Sequence, residues 1–207
     1  MVAGGPDGAA VTSAPARAVP TRDALLDRAA EVTCGPGWST ITMAKLADAV
    51  GVSRQTVYNE FGSKSGLAEA LVMRELRRFL AVVEAELSSG DDVVDAIRRT
   101  TVAVLSLAAD NPLLHAVLSA SHGTGNDLLP LLTSHSAGLI DTASAVLADN
   151  VRRFTIPLTD AQLAFVIDGV VRLVLSHVMQ PGAAPEETAD RVAWLAGRVV
   201  AGDPSLR

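Results

Sequence analysis

One cysteine, Cys34, stands in 207 residues, which excludes a disulfide framework and any cysteine-rich zinc module. A chain without bridges suits a reducing cytoplasm, the expected location. The four histidines are His115, His122, His135 and His177, and no two have metal-ligand spacing, so no metal site is expected. No phosphate-binding glycine loop and no paired-carboxylate motif occurs, so neither a cofactor nor catalysis is expected. Cys34 precedes a Gly-Pro-Gly turn with no His–Asp constellation beside it, and reads as a buried structural thiol rather than a nucleophile. The N-terminus lacks the basic and apolar regions of a signal peptide. The most apolar stretch, residues 163–179, is broken by Asp168, Arg172 and His177 and makes a poor membrane span, so no membrane partner is expected. No alternating strand pattern of useful length and no fixed-period repeat is visible, which leaves an all-α chain.

What is present is apolar: 49% of residues are hydrophobic and 19% charged, which excludes intrinsic disorder. Charge is unevenly spread. Residues 41–78 carry six basic and four acidic groups, whereas the whole chain nets −6. Both lysines and the one tyrosine fall between residues 45 and 64. A small, locally positive unit joined to a larger acidic one hints at nucleic acid.

Residues 1–19 show no apolar period and read as a disordered tail. From Thr21 a helix carries Leu25, Leu26, Ala29, Ala30 and Val32 at helical spacing, and Gly35-Pro36-Gly37 stops it. Thr42 can cap a helix from Met43 to Val50, and Ser53 a second one to about Asn59. Phe61-Gly62-Ser63 closes it, and Ser63 or Lys64 starts a long helix to about Leu87. Asp91-Asp92 opens a helix to about Ala109, and Asn111-Pro112 starts another. His122 to Asn126 reads as a loop, followed by a helix from about Asp127 to Phe154 with an interruption near Ser134–Gly138. Thr159-x-x-Gln162 is a capping box for a helix to Gln180, and Pro185-Glu186-Glu187 opens the last, to about Ala201.

Two short helices joined at Gly51 have helix-turn-helix spacing. Leu46, Ala47, Val50, Val52 and Val57 supply a small core that Trp38 and Phe61 can close. The second helix turns Arg54, Gln55, Tyr58 and Asn59 outward, with Thr56 beside them. This is either an ordinary exposed polar face or a DNA-reading one: arginine forks onto guanine, and Gln or Asn onto adenine.

The run TITMAKLADAVGVSRQTVYNEFGSKSGL, from Thr40 to Leu67 and preceded by Gly37-Trp38, resembles the DNA-binding signature of TetR-family transcriptional regulators. The likeness covers residues 21–67; beyond residue 70 only the architecture is similar. It implies a three-helix helix-turn-helix domain over residues 20–66 and a ligand-binding and dimerisation domain of about six helices over residues 67–207. It also implies a homodimer on double-stranded DNA with a palindromic operator, most simply a repressor released by a small-molecule effector. Carried across by position, Thr42 caps and touches phosphate, and Ser53 caps the recognition helix. Arg54, Gln55 and Thr56 stand where base edges are read; Tyr58, Asn59 and Lys64 stand where the backbone is held. Many members have His where this chain has Glu60, which must turn away from phosphate or pair, with Lys64 as one candidate. An all-α dimeric small-molecule-binding module without DNA binding is the alternative.

In the helix of residues 159–180, apolar side chains fill an arc of roughly 200°. Such an arc is buried on two sides, against its own domain and a partner subunit, or wholly within one chain. TetR-like proteins pair their last two helices with symmetry mates, so Ile167, Val170, Val171, Val174 and Val178, with Leu195 and Val199 from the last helix, are the dimerisation candidates. Asp168 and Arg172 form an i,i+4 pair on the remaining polar strip. His177 is either a core histidine or a pocket hydrogen-bonder. With His115 and Leu118 it makes the candidate ligand set. The effector is expected to be apolar or lipid-like, because residues 91–180 offer little charge to pair with a polar one.

Overall fold

The computed structural model describes residues 21–119, 128 and 137–200. The expected tail, the loop at His122–Asn126, the first turns of the helix after it, His122, His135 and the chain end lie outside the described residues. Among those described, the chain is helical and contains no strand. The helices are α1 (Thr21–Cys34), α2 (Met43–Val50), α3 (Arg54–Phe61), α4 (Lys64–Leu87), α5 (Val93–Ala109), α6 (Pro112–Ser119), α7 (Ala137–Val151), α8 (Asp160–Met179) and α9 (Pro185–Val200). A single 3-10 turn, Trp38–Thr40, follows α1.

Most helix starts are capped as the sequence suggests. Thr42, Ser53, Ser63 and Asp92 each accept a backbone N–H one turn in, and Asn111 Oδ1 accepts Leu114 N–H at 2.9 Å ahead of Pro112. Thr159 and Gln162 form the reciprocal capping box. These bonds satisfy amides that the helix itself leaves without partners. Two boundaries differ: α3 runs to Phe61, and α7 ends at Val151 rather than at Phe154. Gly51, at φ +78°, supplies the left-handed step between α2 and α3.

The first core joins α1–α3 to the N-terminal half of α4. Leu25, Leu26, Val57, Leu67 and Leu71 are at most 1% exposed, and Trp38 and Phe61 close the cluster. This core does not stop near residue 66. Leu113 and Val117 of α6, Leu139 of α7, and Leu128 continue it, and α6 rests directly on α1. Two further clusters hold the second half of α4 against α5, α7 and α8. α9 packs chiefly on α5. α8 is long and apolar enough by composition to cross a bilayer, but much of its apolar face lines the interior of the helical domain.

At the α3–α4 joint, Ser63 caps α4 and Gly66 lies under the end of α3. A Cβ at Gly66 would stand 2.0 Å from the Phe61 carbonyl oxygen, a backbone atom with nowhere cheap to move. Gly66→Ala is therefore expected to destabilise the protein by about 1–3 kcal/mol, read as a lower urea midpoint. An unchanged midpoint contradicts this close approach.

Candidate nucleic-acid interface and effector cavity

The helix-turn-helix core is closed on its inner side by Leu46, Ala47 and Val57, which fixes the outward phase of α3. Arg54, Gln55, Tyr58 and Asn59 are exposed, Tyr58 at 49%. Gln55 Nε2 donates to Asn59 Oδ1 at 2.8 Å, so these two amides are aligned along one face. Ser53 Oγ accepts Thr56 N–H at 3.0 Å and lies 2.8 Å from Thr56 Oγ1. Thr42 Oγ1 accepts Lys45 N–H at 3.2 Å. The hydroxyls of Thr42, Ser53 and Thr56 thus help to shape the helix starts. Lys64 is half-buried, its ammonium 5.2 Å from the Trp38 ring centroid.

Glu60 does not pair with Lys64. Its partner is Arg22, whose Nη1 donates to the Glu60 carbonyl at 2.6 Å and lies 3.5 Å from Oε2. The same guanidinium sits 4.6 Å from the Phe61 ring centroid. Arg22 therefore holds the last turn of α3 to α1, where a cation suits the negative end of the helix. A contact 38 residues distant in sequence left no local signal.

Cys34 is exposed at the end of α1, not buried as the sequence suggests. Partial burial of its sulfur, and then the Glu75 carboxylate, push the thiol above its ordinary range and disfavour a thiolate. Among the described residues no group of three His, Cys, Asp or Glu side chains could hold a metal ion.

Within the larger helical domain lies a cavity of about 210 Å³. Its wall is drawn from α4–α9, with Leu76, Phe79, Val104, Leu147, Val171 and Val174 typical of it. The polar residues among the described lining are Glu75, Thr100, Thr101 and Asn111. Asn111 Nδ2 donates to Glu75 Oε2 at 3.1 Å.

The three ligand candidates do not line this cavity. His115 is exposed, because α6 buries Leu113 and Val117, each two residues away and about 200° round the helix. Leu118 and His177 are half-buried outside it.

The dimerisation candidates divide. Ile167, Val170, Val171, Val174 and Val178 face the cavity of their own domain, which accounts for much of the wide apolar arc of α8. Leu195 and Val199 stay exposed on α9, and so does Trp194 at 63%. Phe165, 79% exposed on the outer side of α8, was missed because it falls outside the counted arc. Arg172 Nε donates to Asp168 Oδ2 at 2.7 Å, and this hydrogen bond, ahead of the carboxylate's charge, raises the guanidinium pKa.

The fold and this site define a helix-turn-helix DNA-binding unit carried on a helical domain with an internal apolar cavity. Residues 25–71 match the family model for bacterial regulatory proteins of the tetR family, and residues 92–198 match a bacterial tetracyclin repressor C-terminal domain. The HTH-type transcriptional regulator AlkX of Mycobacterium tuberculosis is 34% identical over 175 residues, covering 84% of this chain and 82% of that protein. The TetR-family repressor AlkX of a Dietzia species superposes with a TM-score of 0.71 at 24% identity, covering 90% of this chain and 97% of that one. The Rhodococcus erythropolis repressor QsdR has the same fold, with a TM-score of 0.58 at 19% identity over 86% of this chain and 94% of its own. The chain belongs to the TetR family of transcriptional regulators.

The recognition helix is only eight residues long, so its start depends on its cap. Ser53→Ala is expected to cost about 1 kcal/mol, and Ser53→Gly only a few tenths, in urea unfolding. Equal effects of the two changes would contradict the capping role.

Proposed function

We propose that this chain is a ligand-responsive repressor, cytoplasmic and without catalytic activity, that binds a palindromic operator as a homodimer and is released by a small apolar or lipid-like effector. The observation that carries the reading is that the cavity and the helix-turn-helix share α4. Its first half closes the DNA-binding core, and its second half lines the cavity.

Arg54, Gln55 and Thr56 are assigned to base edges; Thr42, Ser53, Tyr58, Asn59 and Lys64 are assigned to the backbone. Phe165, Trp194, Leu195 and Val199 are assigned to the subunit interface, since exposed apolar patches mark association surfaces. A dimer on one face of DNA needs its recognition helices roughly 34–36 Å apart, one turn of the duplex.

Two links connect the cavity to that spacing. Arg74 of α4 donates to Asp27 Oδ1 at 2.7 Å and to the Leu26 carbonyl at 3.2 Å, fastening α4 to α1. α6 lines the cavity through Leu113, Leu114 and Val117 and rests on α1. An occupant that prefers a wider placement of α4 and α6 carries α1 with them. It shifts the population away from the DNA-competent spacing only by its differential affinity for the two states. The Dietzia protein of the same fold is implicated in biodegradation of n-alkanes, a chemistry compatible with an apolar effector.

The test is selection of bound duplexes from a random pool by the full chain. A palindrome is expected, and Arg54→Ala should cost about 1–3 kcal/mol with preference relaxed at one position of each half-site. Failure to enrich any sequence at low salt, with folded protein free of bound small molecules, would favour a dimeric binding module without DNA.

A further inference from the structure

Among the described residues, the cavity wall offers an occupant almost nothing but carbon. Four lining residues among those described carry polar groups; three are committed to protein partners, and the fourth is enclosed. Thr101 Oγ1 donates to the Ile97 carbonyl at 2.7 Å. Asn111 spends its carbonyl on Leu114 N–H and its amide on Glu75. The Glu75 carboxylate, 14% exposed, also accepts from Arg78 Nη1 at 3.1 and 3.3 Å, and Arg74 Nε lies 3.9 Å away. Thr100 Oγ1 is itself buried and has no partner.

No cation lines the cavity among the described residues. Glu75 and Asp27 are balanced by Arg74 and Arg78, so this cluster presents no surplus charge to a ligand head group of either sign. A carboxylate drawn into the cavity would lose its water and meet a carboxylate as the nearest charged lining group. A hydroxyl would lose water and find Thr101, Asn111 and Glu75 already engaged and the Thr100 hydroxyl enclosed. A hydrocarbon loses nothing of the kind. It gains dispersion contacts that an empty apolar void lacks.

We propose that the effector is recognised by its hydrocarbon chain alone, and that the cavity takes an unsubstituted aliphatic chain, an n-alkane in chemical class, in preference to the corresponding alcohol or carboxylate. This deepens the apolar-effector reading and rests on it. The volume suits a slim, medium-length chain: about 210 Å³ is somewhat larger than the roughly 150 Å³ apolar cavity that accepts benzene.

The test measures binding of n-hexane, n-octane, 1-octanol and octanoate to the full chain without DNA, by heat stabilisation at known free concentration. Affinity should rise about fourfold per methylene from hexane to octane, and octanol and octanoate should bind about tenfold or more weakly than octane. Val174→Phe, which puts a ring into the cavity, should remove octane binding while the protein still unfolds cooperatively. Glu75→Gln should leave octane affinity within about twofold. If Val174→Phe fails to fold, Leu147→Phe serves in its place.

Octanoate or octanol binding tighter than octane overturns the proposal while leaving an apolar effector intact. Loss of a tight octanol complex in Thr100→Val would identify a hydroxyl seat and overturn it likewise. Binding of none of the four compounds overturns both the proposal and the apolar-effector reading. The selection of operator duplexes does not depend on any of these results.

Discussion

One helix, α4, belongs to two cores at once. Its 24 residues span about 36 Å. Leu67, Ala68 and Leu71 are buried among α1–α3, and Leu80, Val83 and Leu87 are buried beside the cavity. Close-packed cores transmit displacement because they have no slack to absorb it. A rod gripped at both ends therefore cannot adjust at one end unnoticed by the other. The Arg74 contacts with α1 and the seat of α6 on the same core add two further ties across that joint.

Stability and responsiveness are in tension within the larger domain. A cavity of this size forfeits dispersion contacts that a filled core would keep. The domain tolerates that loss with two apolar clusters and with guanidinium clamps on its loops. Arg153 Nη1 donates to the Leu87 carbonyl at 2.9 Å, and Arg99 Nη2 to the Ser89 carbonyl at 2.7 Å, closing the end of α4 against the turn into α5. Among the described residues, Glu75, Asn111 and Thr101 spend their polar groups on protein partners, which leaves mostly carbon facing the void.

Much of this was legible in the sequence wherever the signal is local. Caps, the glycine turn and the core phase of α2 and α3 are set by residues within one or two turns of each other, so Thr42, Gly51, Ser53, Val57 and the Thr159–Gln162 box could be read directly. What failed is what depends on distant partners. The apolar arc of α8 is visible, but whether it faces a partner or a hollow is decided by α4, α5 and α7, and Ile167, Val171 and Val178 turn inward. The Arg22–Glu60 contact joins two helices far apart in the chain. The cavity residues Glu75, Thr100 and Asn111 carry no motif at all, while His115 drew attention by residue type although its helix phase points it outward.

The central claim is that filling the cavity moves the DNA-binding units of a dimer relative to each other. Spin labels on Asp48→Cys, an exposed α2 position, in a Cys34→Ser background would report the distance between the two units by pulsed dipolar spectroscopy. The account predicts one broad inter-subunit distance without ligand, narrowed by operator DNA, and a displaced distribution under saturating n-octane. An unchanged distribution with octane demonstrably bound would contradict the coupling through α4, and absence of any dipolar signal would contradict the dimer itself.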